Sequence, residues 1–310
     1  MSSTTARAGA DAAGTARRLA RLASSQTAAA WLLALPFVAL FLVFTLGPVL
    51  ASFGMSFTDI RSADLRTPLA VNAVALDNYL QLLSDPVFRK VAGNTALYVL
   101  FGVPLTMAAA LAAAVGLNGI ARLRAFFRTG YYLPVVTSIV AVSVVWRFML
   151  VPDGLINTVL GWFGVPGADW LSSTTFALPA LIVMATWRNL GTLMVIFLAG
   201  LQAVPDDVIE AADVDGAGRW ARLRHVTVPM LRPTLLFGAV ITGIGYLQFF
   251  EEAFVMTKGG PLDATRSVSF YTYDQFGFGN YGYAAAMSWV LFMAIVLLTI
   301  AQFRLLRTED

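Results

Sequence analysis

The chain has 310 residues, 58% of them hydrophobic and 13% charged, with a net charge of +3 at pH 7. Soluble domains carry about 25% charged residues, so this composition excludes an ordinary soluble globular protein and points to a membrane. Cysteine is absent and His225 is the only histidine, which excludes disulfides and thiolate chemistry; a metal would have to be held by carboxylates alone, and no metal site and no catalytic residue is expected.

Residues 1–25 are rich in Ala, Ser and Thr without a fixed period and read as a flexible arm. No residue from 22 to 58 is charged. That run exceeds the roughly 20 apolar residues that cross a bilayer core. It is too long for the apolar region of a signal peptide and lacks a clear cleavage site. Two more charge-free windows cover 91–121 and 275–303. Three further segments are apolar with isolated charges: 129–150 with Arg147, 176–201 with Arg188, and 234–257 with Glu251 and Glu252. Backbone polar groups in lipid must be satisfied within their own segment, so six helices are predicted. The chain reads as an all-α, polytopic membrane protein, with a single membrane domain over 26–305 and a short tail over 306–310. Pro36, Pro48, Pro104 and Pro134 fall inside these spans; neighbouring helices in a membrane bundle absorb the carbonyls that proline frees.

Six spans place both termini on one side. Arg7, Arg17, Arg18, Arg21, Arg122, Arg124, Arg128, Arg219, Arg222, Arg224, Arg232, Arg304 and Arg307 fall on that side, thirteen against the six of Arg61, Arg66, Arg89, Lys90, Lys258 and Arg266. Basic residues favour the cytoplasmic side, so the termini and the 205–233 loop are expected there.

That loop is the longest stretch that is both charged and helix-like. Pro205 suits a helix start, where its missing N–H costs nothing. Asp206 and Asp207 complement the helix dipole, and Val208, Ile209, Ala211 and Ala212 give a short apolar face. Gly216 sits where a helix would stop in the left-handed conformation. A second short helix is predicted over 219–226, running to Pro229. An amphipathic loop resting on membrane lipid and a docking module for a cytoplasmic partner both fit this helix–turn–helix. A DNA reader shares the shape, but tethering between two spans argues against nucleic acid.

Glu210-Ala211-Ala212, then Asp215-Gly216-Ala217, then Val226-Thr227-Val228-Pro229 resemble the EAA signature of permease subunits of bacterial ABC importers. Other segments resemble the sugar-type branch: LPFVALFLVFTLGPVLASFGMSFTD at 35–59, DNYLQLLSDPVFRKVAGNT at 77–95, FRTGYYLP at 127–134, DGLINTVLGWFG at 153–164, LAGLQAVP at 198–205 and FVMTKGGP at 254–261. The resemblance covers nearly the whole chain; Leu223 departs from it, where the family commonly has Phe. It implies that 205–233 is the coupling loop, with Glu210, Ala211, Ala212, Asp215, Gly216, Ala217 and Pro229 engaging an ATPase. It also implies a second homologous permease, an ABC ATPase dimer carrying ATP and Mg, an extracytoplasmic solute-binding protein and a carbohydrate substrate, in a bacterial cell membrane. No cofactor is expected in this chain. A phosphate loop ends in Gly-Lys-Ser/Thr, whereas Lys90 precedes Val91 and Lys258 precedes Gly259. A glycerol-3-phosphate or glycerophosphodiester importer is the nearest alternative. An ion-coupled secondary transporter would explain the intramembrane carboxylates but predicts inverted repeats, and none stands out.

Ionisable residues inside spans are functional candidates. Trp187, Arg188 and Asn189 on one side of the loop, and Tyr246, Gln248, Phe249, Phe250 and Glu251 on the other, combine aromatic faces with planar polar groups. They are the expected substrate pathway. An ion pair between Arg188 and one of the glutamates is the competing structural reading. Glu251, three residues after Gln248, is expected to share its helical face, with Glu252 pairing with an arginine or reaching the outer interface.

Overall fold

The computed structural model describes residues 27, 29–67, 71–119 and 124–306. The arm expected over 1–25, most of the 306–310 tail, Arg122 and Arg307 lie outside the described residues. Those described are helical, with no strand among them beyond one isolated antiparallel bridge between Thr58 and Ala73.

Helix α1 (Ala29–Met55) belongs to a unit of its own, Met1–Met55. It continues through Pro48 by widening into a π turn at Leu42–Leu46, where the Gly47 N–H reaches the Leu42 carbonyl. A proline inside a helix lacks one N–H and crowds the carbonyl four residues earlier. The wider turn, two residues ahead of the ring, relieves both.

The second unit, Ser56–Asp310, holds the other helices. In chain order they are α2 (Asp77–Ser84), α3 (Pro86–Asn118), α4 (Arg124–Val136), α5 (Ile139–Met149), α6 (Leu155–Trp162), α7 (Ala177–Gln202), α8 (Asp206–Val214), α9 (Arg219–Met230), α10 (Arg232–Leu247), α11 (Glu251–Met256), α12 (Val268–Gly277) and α13 (Tyr281–Leu306). Among the described residues, α1, α3, α7 and α13 are long and apolar enough to cross a membrane by themselves. The expected third span is a bent pair, α4 and α5, at 98° across Thr137 and Ser138. The expected fifth span is shorter than its apolar window. Helix α10 meets α9 at 70°, ends at Leu247, and resumes as α11 only after a non-helical stretch at 248–250.

The scaffold is the α3–α7 pair, the most extensive helix contact among the described residues. Small residues allow such close approach where lipid supplies no hydrophobic drive between helices. Ala110 and Ala114 of α3 are fully buried against Leu193, Met194 and Phe197 of α7. A methyl group on Gly191 would come within 2.1 Å of the Tyr131 carbonyl oxygen of α4, so α4 crosses α7 backbone to backbone there. One on Gly102 of α3 would meet the Tyr246 ring at 2.6 Å, so that glycine makes room for a side chain from α10.

At the end opposite the 205–233 loop, Asp85 joins three helices. Its Oδ1 accepts from the Val87 N–H at 2.8 Å and caps α3. Its Oδ2 accepts from the Tyr271 and Tyr283 hydroxyls, each at 2.8 Å. Partial burial pushes the Asp85 carboxyl up, but the hydrogen bonds from Tyr283, Tyr271 and the backbone outweigh it, and the net shift is downward. Tyr271 is pushed up to about 12 by burial and by its bond to Asp85. A lowered acid is lost as pH falls through its folded value, below the ordinary carboxylate range near 4. A raised tyrosine keeps its full contribution below about 10 and loses it as pH rises through about 12. Asp85→Ala is therefore expected to lower stability by about 1–3 kcal/mol at neutral pH. It should also return Tyr271 toward an ordinary phenol. Thermal unfolding and a tyrosinate absorbance titration against Tyr271→Phe check both; an unchanged melting temperature would contradict the triple tie.

Candidate functional site

Two regions gather the residues that the sequence singles out. The first is a cavity of about 270 Å³ between α7, α10 and the start of α11. Its wall contains Arg188, Asn189, Tyr246, Gln248, Phe249 and Glu251, and also Thr192, Thr242 and Glu252. Trp187 and Phe250 lie elsewhere. Residue 187 is one 100° step from Arg188 on the helix; its ring faces Trp146 of α5, centroids 5.7 Å apart, and lines a separate apolar cavity of 520 Å³ at the α4–α5 bend. Phe250 packs with Phe254, Phe270 and Tyr273, its ring centroid 5.2–5.4 Å from theirs.

The α10–α11 break aims these groups. The Phe249 carbonyl accepts from the Ser267 hydroxyl at 2.6 Å, and Ser267 Oγ in turn accepts from the Phe270 N–H at 3.0 Å. Gln248 and Glu251 are not on one continuous helix, so a three-residue spacing does not set their relation; both nevertheless line the cavity. The larger departure is Glu252. It is 6% exposed, lines the cavity, and accepts from the Tyr98 hydroxyl at 2.5 Å. Tyr98 of α3 lies flat on Phe249, centroids 3.9 Å and planes 8° apart, and tilts against Tyr246 at 5.2 Å. Thr106 continues the polar seam to Tyr246 at 2.7 Å and to Thr186 at 3.1 Å. Tyr98 and Thr106 carry no sequence signal, because each sits within a long apolar helix far along the chain from its partners.

The ion pair weighed for Arg188 does not form: among the described residues no salt bridge joins it to Glu251 or Glu252. Its Nη1 reaches only Asn189 Oδ1, at 3.4 Å, and its buried Nε has no partner. The phenol of Tyr98, rather than an arginine, satisfies Glu252. Tyr98→Phe keeps the stacking and deprives a buried carboxyl of its donor, which costs about 1–3 kcal/mol. We expect a lower melting temperature for Tyr98→Phe, while adding Glu252→Gln to it should recover part of the loss. Additive losses in the double variant would rule out the pairing.

The second region is the α8–α9 hairpin. Asp206 begins α8, with extended Pro205 as its N-cap. Helix α8 closes with the Ala217 N–H on the Ala212 carbonyl (2.9 Å) and the Gly216 N–H on the Asp213 carbonyl (3.1 Å), with Gly216 at φ +77°. This is the Schellman closure, which needs a left-handed residue at that position. An ion pair between Arg222 and Asp213 ties the two helices. Glu210, Ala211, Asp215 and Gly216 are exposed, Ala217 and Pro229 half-buried. Ala212 is only 8% exposed, so it packs the hairpin inward rather than offering a surface to a partner. The second helix does not stop before Pro229. It runs to Met230, with a π turn at Leu223–Thr227 again ending two residues ahead of a proline.

The family model described as binding-protein-dependent transport system inner membrane component matches residues 102–308. The chain is 39% identical over 275 residues to the probable ABC transporter permease protein YesP of Bacillus subtilis, covering 87% of each chain. It is 35% identical over 280 residues to the lactose transport system permease protein LacF of Rhizobium radiobacter, covering 88% of this chain and 92% of the relative. In fold it is similar, with a TM-score of 0.76 and 24% identity, to a chain of the crystal structure of a bacterial ABC transporter involved in the import of the acidic polysaccharide alginate, covering 93% of this chain and 98% of that one.

Proposed function

This chain belongs to the family of binding-protein-dependent transport system inner membrane components, and from that membership we propose that it carries a di- or oligosaccharide into the cell as one permease of an ATP-driven importer. A second homologous permease, an ATPase dimer binding ATP and Mg, and an extracytoplasmic binding protein complete the system. Both termini and the α8–α9 hairpin face the cytoplasm, where the exposed side of α8 and the Gly216 turn meet the ATPase. ATP binding closes the ATPases, the hairpins follow, and the cavity changes the side to which it opens.

The observation that carries the substrate class is the cavity wall. Tyr246 and Phe249 bring aromatic rings to the lining, and Asn189, Gln248, Arg188 and Glu251 bring planar polar groups beside them. Ring C–H surfaces stack on aromatics while hydroxyls pair with planar donors and acceptors. The lactose permease relative supports the same class. Phosphate-bearing solutes are less well served, since the charged lining is Arg188 against two carboxylates, Glu251 and Glu252. An ion-coupled carrier has no use for the docking hairpin.

The test is a reconstitution. The purified chain alone is expected to hydrolyse no ATP. Hydrolysis should appear only when the ATPase and the second permease are added, and rise further with sugar-loaded binding protein. Turnover by the chain alone, free of contaminant, would refute the assignment.

A further inference from the structure

A cavity of 880 Å³ lies between the α8–α9 hairpin and the ends of the two scaffold helices. It falls in the range of roughly 300–1,000 Å³ typical of ligand clefts. Its wall includes Asn118 from the last turn of α3, Leu201 from the last turn of α7, and Arg219, Trp220, Arg222 and Leu223 from α9. Helices α3 and α7 are both long and apolar enough to cross a membrane, and the cavity lies at their ends on the hairpin side.

Charge is sorted across the hairpin. All five acids, Asp206, Asp207, Glu210, Asp213 and Asp215, lie on the α8 side, and Arg219, Arg222, Arg224 and His225 all lie on α9, followed by Arg232 at the start of α10. Arg222 is held by Asp213, and Asp206 also lines the cavity. Among the described residues Arg219 has no carboxylate partner. Beside it Trp220 is 73% exposed. An exposed indole next to an unpaired arginine at the end of membrane helices matches the interfacial belt of membrane proteins. Basic pockets between membrane helices take anionic headgroups.

We propose that this cavity binds the headgroup of an anionic phospholipid, with the unpaired Arg219 on the phosphate, Arg222 shared between the phosphate and Asp213, and Trp220 lying in the interface beside it. The site is separate from the sugar cavity and from the exposed face of α8. Lipid bound there would brace the α9 side of the hairpin against the ends of α3 and α7.

The test uses the full chain in nanodiscs of phosphatidylcholine, with brominated phosphatidylglycerol or brominated phosphatidylcholine as the quencher of tryptophan fluorescence. The Trp220 signal is the difference between the wild-type chain and Trp220→Phe. Quenching of that signal is expected to be stronger with the brominated anionic lipid. Arg219→Gln should lower the preference roughly fivefold, and Arg219→Gln with Arg222→Gln should abolish it. Because Arg222 also ties the hairpin, the single Arg219 variant carries the result if the double one is misfolded by circular dichroism. Equal quenching by the two lipids would overturn the proposal, leaving an interfacial tryptophan without headgroup selection. Absence of any Trp220-dependent quenching would overturn it too, and would give the cavity to a protein partner. No transport is measured, so failure here leaves the importer assignment untouched.

Discussion

Gly191→Ala is expected to destabilise the chain by about 3 kcal/mol, at the upper end of what overpacking one methyl group costs. The added carbon would lie 2.1 Å from the Tyr131 carbonyl oxygen, 2.8 Å from its carbon and 3.0 Å from Tyr132 Cα. All three are backbone atoms of α4, so no side chain can rotate away; the whole helix must move. Moving it disturbs the α4–α5 bend and, through Ile139, the cavity beside α7 and α10, whose wall α5 shares. Gly93→Ala in α3 is the control. A methyl group there would have nothing within 4 Å, and alanine is the better helix former by about 0.5–1 kcal/mol. Thermal unfolding in detergent should separate the two variants clearly; equal melting temperatures would show that the α4–α7 crossing is not a backbone-to-backbone contact.

Gly216→Val is expected to abolish transport while leaving membrane insertion intact, and Glu210→Lys to do the same by a different route. A side chain at Gly216 meets open space, with nothing within 4 Å, so packing is untouched. The penalty comes from the backbone alone: φ is +77°, and an L-residue held in that region costs roughly 1–2 kcal/mol, with β-branched residues the worst suited. That is too little to unfold the protein. It is enough to open the closure that sets the angle between α8 and α9, and with it the surface proposed to meet the ATPase. Glu210 is exposed on α8, so reversing its charge leaves the fold alone and alters only what meets a partner. Uptake assays paired with a membrane-level blot distinguish loss of coupling from loss of protein. Wild-type uptake by both variants would remove the hairpin from the coupling mechanism.

The cavity side chains are only partly legible in the sequence. Six of the eight expected pathway residues reach its wall, because helical periodicity holds on α7 and clustering near residue 248 holds by proximity. Trp187 does not, since a residue one step away on a helix faces about 100° off its neighbour; Phe250 does not, because it lies in the non-helical 248–250 stretch and packs on Phe254, Phe270 and Tyr273 instead. A lesser role for Glu252 follows only if a helix runs unbroken through 248–250. The chain breaks there, both carboxylates come to the cavity, and Glu252 is the one that is buried and bonded. Its partner Tyr98 is 154 residues away.

What the sequence determined by itself is the class of the molecule. Length of apolar run, scarcity of charge and the Asp215-Gly216-Ala217 turn depend on local chemistry: hydrocarbon must be spanned by satisfied backbone, and only glycine is relaxed at a left-handed helix end. Those features do not need a partner elsewhere in the chain to be meaningful. The tertiary structure alone decided which polar groups face one another. The tie of Asp85 to Tyr271 and Tyr283, the bond from Tyr98 to Glu252, the unpaired Nε of Arg188 and the inward turn of Ala212 are all set by how helices far apart in sequence cross. Crossing is governed by shape at a few contact points such as Gly102 and Gly191, and a glycine in an apolar run looks the same in sequence whether a helix backbone or empty space lies against it.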